Sequence, residues 1–424
     1  MPPTPSDAAP NVRGARYALA ILTFINLFNY LDRWVVAAVV ESIKKSELAL
    51  TDTQLGLVGT GFIVVYTLTS PMFGTMGDRK RRPPLIALGV ALWSVATSLG
   101  GFAQGFLSLF LARSSVGVGE AAYGTIAPAL LADSFPLERR GRVLSIFFAA
   151  IPIGSAAGYV LGGLVDQHFG WRAVFWLAGA PGLLLSLLIL GVKDPPRGAN
   201  DAAPVPRKDQ SVGPVSVWRA YGDLLRNRTF MLTAIGYGAY TFALGGLAFW
   251  MPAFLERVRG MPRSEATVTF GVIALCTGFV GTFAGGWLGD FFLRRSAQSY
   301  LWVSGVATLL AAPVTWLALT SPSRAVFVPA IAIAEVLIFM CTGPVNSAIL
   351  NVVRPAQRAT AVGLSVFVMH VIGDIPSPPL IGTLSDHSSL QQAFLIVPVA
   401  VLVAGMVWIY TAWQAGRAAV PLEA

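Results

Sequence analysis

The sequence predicts an all-α membrane protein with twelve transmembrane helices in two six-helix bundles and both termini cytoplasmic. Three observations carry that prediction. The 424 residues are 55% hydrophobic and only 12% charged, with a mean hydropathy of +0.66, whereas soluble domains carry about 25% charged residues. The apolar runs, such as 85–99 and 394–409, are long and continuous, unlike the alternating segments of roughly ten residues in a transmembrane barrel. At about 20 apolar residues per crossing plus a short loop, this length accommodates about twelve crossings. A water-soluble globule is excluded.

Apolar runs between charged or Gly/Pro-rich breaks place the first six spans near 17–41, 53–75, 84–104, 105–134, 141–166 and 171–192. The second six follow near 229–255, 265–289, 299–319, 325–353, 359–384 and 390–414. Between the sets lies the longest polar stretch, 193–228, which contains Asp194-Pro195-Pro196 and Pro204-Val205-Pro206-Arg207-Lys208 and reads as a cytoplasmic linker. The expected organisation is therefore a disordered tail over 1–16, a bundle over 17–192, the linker, a bundle over 229–414 and a tail over 415–424. The first eleven residues lack the basic start and cleavage site of a secretory signal, so the first span is expected to stay as an uncleaved anchor.

The balance of 30 Lys+Arg against 21 Asp+Glu gives +9, which in a soluble chain would suggest nucleic acid. Topology explains it here, because cytoplasmic loops collect Lys and Arg. With the N-terminus inside, 21 basic residues fall on that side and 7 on the other. The remaining two, Arg33 and Arg113, fall within spans. Cys276 and Cys341 both lie in apolar runs with no neighbour at metal-ligand spacing, so neither a disulfide framework nor a metal or cofactor site is indicated.

The halves repeat weakly. After the second span the chain reads Gly74-Thr75-Met76-Gly77-Asp78-Arg79-Lys80-Arg81-Arg82; after the eighth it reads Gly285-Gly286-Trp287-Leu288-Gly289-Asp290, then Arg294-Arg295. A duplicated six-helix unit with a central linker is the organisation of carriers that rock two bundles about a midplane site.

At these residues the sequence resembles the major facilitator superfamily. The loop from Gly74 to Pro83 is similar to that family's Gly-x-x-x-Asp-Arg-x-Gly-Arg-Arg, with Arg81 at the second Gly and Pro83 at the last Arg, and Arg113-x-x-x-Gly117-x-Gly119 fits its fourth-span motif. The runs Gly117-Val-Gly119-Glu120-Ala-Ala-Tyr123-Gly-Thr-Ile-Ala127-Pro128, Asp133-Ser-Phe-Pro136 and Ile151-Pro152-Ile-Gly154 resemble the Spinster branch. So do Tyr30-Leu31-Asp32-Arg33 and His370-Val-Ile-Gly373-Asp374-Ile-Pro376-Ser377-Pro378. The resemblance covers about 17–414. It implies transport of lysophospholipids or sphingoid phosphates; the short tails and the absence of long loops suggest a bacterial member, in the inner membrane, and proton coupling is expected from the acids discussed below. The rival within the superfamily is an anion:cation symporter of small organic acids, whose first span can carry a similar Asn-Tyr-Leu-Asp-Arg string. A membrane-embedded enzyme would need a His or metal cluster, and His168, His370 and His387 are dispersed. The expected partners are the lipid substrate, protons and the bilayer, with no nucleic acid, and the carrier is expected to be a monomer.

Ionisable groups inside spans cost about 2.5 to 3.5 kcal/mol each even on permissive scales, so each requires an explanation. Arg113 and Glu120 are seven residues apart, nearly two turns, and share a helix face about 10 Å apart in rise. Asp32 lies about 22 Å in from one side and Arg113 about 12 Å in from the other, so their levels nearly coincide in a core of about 30 Å. Arg113 is therefore expected to pair with Asp32 and, in another state, with Glu120. Moving the arginine would change which acid keeps a counter-ion and which holds a proton. The alternative is a static pair that holds the helices in register.

Arg113 also suits a phosphate or carboxylate headgroup, with Tyr30, Tyr123 and Asn346 as polar contributors or as ordinary helix-packing groups. Glu335 has no basic partner in the second half and is either a receptor for an amine or a structural, hydrogen-bonded acid. Arg33 points about 100° away from Asp32 and is expected either to snorkel or to seal an outer gate. Asp78 and Arg79 are gating candidates, with Asp78 meeting a helix N-terminus or an arginine such as Arg139; Asp290 repeats the position, and Asp374 sits in a proline-broken eleventh span. Gly154-x-x-x-Gly158-x-x-x-Gly162 predicts a close helix contact along the fifth span.

Overall fold

The computed structural model describes residues 12–197, 217–353 and 358–418. Most of the expected linker, including Pro204 to Lys208, and most of both expected tails lie outside the described residues. Helices α1 (Val12–Lys45), α2 (Asp52–Arg79), α3 (Arg82–Gly100), α4 (Phe106–Ser134), α5 (Leu137–Phe169) and α6 (Trp171–Leu188) form the first half. A short helix, α7 (Val217–Arg226), lies inside the stretch expected as linker. The second half comprises α8 (Arg228–Arg257), α9 (Arg263–Leu293), α10 (Ser299–Thr320), α11 (Arg324–Phe339) with α12 (Thr342–Asn351), α13 (Arg358–Met369) with α14 (Ser377–His387), and α15 (Leu390–Phe394) with α16 (Ile396–Ala418).

Eleven of these helical segments are long and apolar enough to cross a membrane. The twelfth crossing is α4, whose Arg113, Glu120 and Gly/Ser-rich middle lower its hydropathy below theirs. Of three interrupted single spans, the last only turns at Leu395, between α15 and α16, and two are broken more deeply. One breaks at Met340–Cys341, between α11 and α12. The other passes through a π turn over His370–Asp374, followed by Pro376, Pro378 and Pro379. Pro379 leaves the Ile375 carbonyl without its helical donor, and Thr60 Oγ1 donates to it at 2.9 Å from the other half; Trp250 Nε1 donates to the Pro378 carbonyl at 3.0 Å.

Small residues set the helix spacing. In α5, a Cβ at Gly158 would lie 2.6 Å from the Leu31 carbonyl oxygen, so α1 and α5 approach backbone to backbone. In α4, Cβ atoms at Gly117 and Gly119 would lie 2.8 Å from Tyr66 N and 2.7 Å from Trp93 N, so α2 and α3 press on α4 from two sides.

The halves meet where α5 packs on α9 and α2 on α14, two contacts related by exchange of the halves. At the end where α1, α5, α8 and α14 finish, charges lock them together. Arg257 Nη1 donates to Asp52 Oδ2 at 2.5 Å, and Arg257 also binds Glu41. Lys45 pairs with Glu256 at 2.7 Å, Arg263 with Asp166 at 3.1 Å, and Asp386 accepts the backbone N–H groups of Asp52 and Thr53 at 2.8 Å each. These links all lie between this end and the level of Thr60 and of Tyr159, whose hydroxyl donates to the Ala248 carbonyl. An apolar core joins the halves here, with Val36, Val39 and Val40 of α1 in one cluster with Met251 and Phe254 of α8. Around the other end, a second core built on Leu22, Ile25, Leu130 and Leu131 belongs to the first half alone.

Candidate functional site

Four charged side chains meet in the interior of the first half. Arg113 Nη1 donates to Asp32 Oδ1 at 2.9 Å, and Thr97 Oγ1 of α3 donates to Asp32 Oδ2 at 2.6 Å. Both ionic partners are buried, their side chains 3% and 0% exposed. Arg33 Nη2 donates to Glu120 Oε2 at 2.8 Å, with Glu120 buried and the Arg33 side chain 25% exposed. Each acid thus has its own arginine.

The geometry follows from the two helices. Asp32 and Arg33 diverge by about 100° on α1, and Arg113 and Glu120 stand about 10 Å apart on α4, so two antiparallel helices can form two stacked pairs. Arg33 does not snorkel away from the protein. Its guanidinium lies 4.7 Å from the centroids of Tyr30 and Phe62 and 5.7 Å from that of Tyr66, enclosed by aromatic faces. Arg113, expected to receive a headgroup, is occupied by Asp32. The arginine whose side chain keeps accessible surface in this quartet is Arg33, which the sequence reading placed at a gate.

Donors and acceptors remain unused. Glu120 Oε1, Arg33 Nε, Arg113 Nε and Asn29 Nδ2 are buried without hydrogen-bond partners in the structure. Such groups are costly unless a ligand or water meets them.

The other candidates separate into two groups. Tyr123 is buried, donates to the Leu22 carbonyl at 2.7 Å and packs edge-on against Trp93, which is a packing arrangement. In the second half, Glu335 is buried and accepts from Thr277 Oγ1 at 2.9 Å. Asn346 is exposed and donates to the Thr342 carbonyl at 2.8 Å and to the Tyr237 hydroxyl at 3.4 Å. Asp374 pairs with His370 Nδ1 at 2.8 Å within the π turn.

At the end away from the charge lock, Asp78, Arg79 and Arg139 are exposed, and Asp290 accepts from Tyr300 at 2.8 Å within its own half. Sequence reasoning missed Arg82. It is buried and donates to Asp133 at 2.5 Å, to Asp194 at 2.7 Å and to the Pro195 carbonyl at 2.6 Å. Arg197 then donates to the Gly77 and Lys80 carbonyls at 2.7 and 2.6 Å. The chain after α6 thereby straps the α2–α3 loop. The charge lock was also missed: Glu41 and Asp52 counted only as span ends, although a carboxylate at such a place is itself a signal that a cation lies opposite.

The comparisons with known proteins come to the same fold. The sequence profile of the Major Facilitator Superfamily matches residues 22–378. Protein spinster homolog 1 of Homo sapiens is 37% identical over 394 residues, covering 87% of this chain and 72% of that one. Protein spinster of Drosophila melanogaster is 32% identical over 392 residues, covering 90% and 64%. The crystal structure of a bacterial homologue of the human lysosomal transporter Spinster, inward-facing and unoccupied, superposes with a TM-score of 0.85 at 24% identity, covering 95% of this chain and 97% of that one. The chain therefore belongs to the major facilitator superfamily, in its Spinster family, and is a multi-pass membrane transporter.

Proposed function

We propose that the protein is a proton-coupled carrier that moves an amphipathic anionic or zwitterionic lipid, a lysophospholipid or sphingoid phosphate, across the bacterial inner membrane by alternating access. With the termini in the cytoplasm, the charge-locked end is the outer one, and among the described residues no ion pair joins the halves at the cytoplasmic end. The bundles over 17–192 and 229–414 are the rocking bodies, joined by the linker over 193–228.

The observation that carries the reading is the Arg33–Glu120 pair, an arginine whose side chain keeps accessible surface resting on a buried acid. An anionic headgroup competes with Glu120 for Arg33. When the arginine turns to the headgroup, Glu120 is left in an apolar wall, and a proton neutralises it at far less cost than a bare charge would bear. Substrate and proton are thereby linked through one side chain. Asp32 holds Arg113 in the resting arrangement, and movement of Arg113 from Asp32 to Glu120 is the second step of the relay. Glu335 takes the amine of a zwitterionic substrate, Tyr30 and Asn346 supply polar contacts, and Asp78, Arg79, Arg139, Asp290 and Asp374 act in gating.

Reconstitution into liposomes with labelled lysophospholipids, sphingoid phosphates and small organic acids, with and without a pH gradient, tests the reading. Gradient-dependent movement of a lipid class is expected. Transport of the organic acids alone overturns it in favour of the symporter reading.

A further inference from the structure

The lipid-facing side of α16 carries a second arrangement of arginines that transport does not use. Where α8 begins and α16 finishes, Arg228 Nη2 donates to the Tyr410 hydroxyl at 2.9 Å. The Arg417 guanidinium lies 3.7 Å from the Trp413 ring centroid, and the two rings adjoin at 6.1 Å. Positions 410, 413 and 417 recur at three and four residues and share one helix face. All four side chains are exposed, and among the described residues neither guanidinium has a carboxylate partner.

The same face continues toward the middle of the membrane as Met406, Val403 and Val399, all exposed. From Val399 to Tyr410 the helix rises about 16 Å, close to the hydrocarbon depth of one leaflet, which is half of about 30 Å. Read outward, the stripe is aliphatic, then aromatic, then cationic, the order of acyl chain, interface and phosphate in a phospholipid.

We propose that this stripe is a binding site for an anionic phospholipid of the surrounding leaflet. The phosphate sits between Arg228 and Arg417, and an acyl chain lies along Met406 to Val399. Tyr410 and Trp413 hold the guanidiniums while leaving N–H edges free for phosphate oxygens. Two cations with no carboxylate partner among the described residues favour a lipid of net negative charge and disfavour a headgroup that adds its own ammonium. The opposite face of α16, with Trp408, Thr411 and Ala412, is buried against the second half, so the site is separate from the space between the halves and does not depend on the identity of the cargo.

The test uses the full chain in detergent with phosphatidylglycerol, phosphatidylcholine or inorganic phosphate, read by native mass spectrometry and by thermal unfolding. Phosphatidylglycerol is expected to bind and to raise the melting temperature more than phosphatidylcholine does. In R228Q/R417Q the binding weakens by about tenfold or more, while the phosphatidylcholine baseline stays in place. The single variant R417Q, at an exposed helix end, shows a partial loss should the double variant not fold. R294Q/R295Q, which removes two basic residues elsewhere, keeps the full effect. Equal effects of the two lipids, an undiminished effect in R417Q and R228Q/R417Q, an equal loss in R294Q/R295Q, or reproduction of the effect by inorganic phosphate alone would each overturn the proposal.

Discussion

The Arg33 guanidinium donates to the Glu120 carboxylate at 2.8 Å, while its sequence neighbour Asp32 holds Arg113 at 2.9 Å. Two adjacent residues of α1 thus engage two residues of α4 nearly two turns apart. The lower-exposure pair, Asp32 with Arg113, is the costlier one to break. Replacing Asp32 by Asn leaves the Arg113 charge buried without a counter-ion, and breaking a buried pair in this way costs about 3 to 5 kcal/mol. Thermal unfolding of purified D32N is expected to show this loss, with part of it recovered in D32N/R113Q.

The charge lock sets a second expectation. Arg257 serves both Glu41 and Asp52, each almost wholly buried. R257Q leaves two acids facing one another with Lys44 as a remaining cation, which pairs with Asp52 at 2.6 Å, and the locked end opens more often. A cysteine placed at Thr383, in a background without Cys276 and Cys341, is expected to label several-fold faster in R257Q than in the parent. Unchanged labelling would show that apolar packing alone holds this end.

Neighbouring glycines of α9 separate packing from propensity. A Cβ at Gly285 would lie 2.6 Å from Met340 Cα, at the break between α11 and α12, whereas a Cβ at Gly286 meets nothing within 4 Å. Gly285→Ala is expected to destabilise by about 1 to 3 kcal/mol through overpacking. Gly286→Ala is expected to be neutral or to stabilise by up to about 1 kcal/mol through helix propensity. Melting temperatures of the two variants compare them directly.

Thr60 supplies the donor for a carbonyl freed by the broken helix. Thr60→Val keeps the shape and removes the hydroxyl, which leaves a buried acceptor unmet at a cost of about 1 to 3 kcal/mol. Because the bond joins the halves, the loss is expected to appear both in thermal stability and as faster labelling at the locked end.

Much of this was legible in the sequence, for identifiable reasons. Span positions followed from apolar runs long enough to cross a bilayer, and the level of Asp32 with Arg113 followed from helical rise alone. The partner of Arg33 did not. Rise and periodicity give depth and face on one helix, but not the rotation of α1 against α4, which depends on how α5 seats α1 and how α2 and α3 seat α4. Arg82 was hidden for another reason: its partners Asp133 and Asp194 lie 51 and 112 residues away, and only the return of the chain after α6 brings them together. The break between α11 and α12 had a proline beside it that the sequence reading passed over: Pro344 has no N–H to meet the Met340 carbonyl.

The central claim is that Arg33 and Glu120 link headgroup binding to a proton. The most direct measurement is uptake of a labelled lysophospholipid into proteoliposomes with and without an imposed pH gradient, in the parent and in E120Q. The account predicts gradient-dependent transport in the parent and transport indifferent to the gradient in E120Q. A gradient response of equal size in E120Q would contradict it.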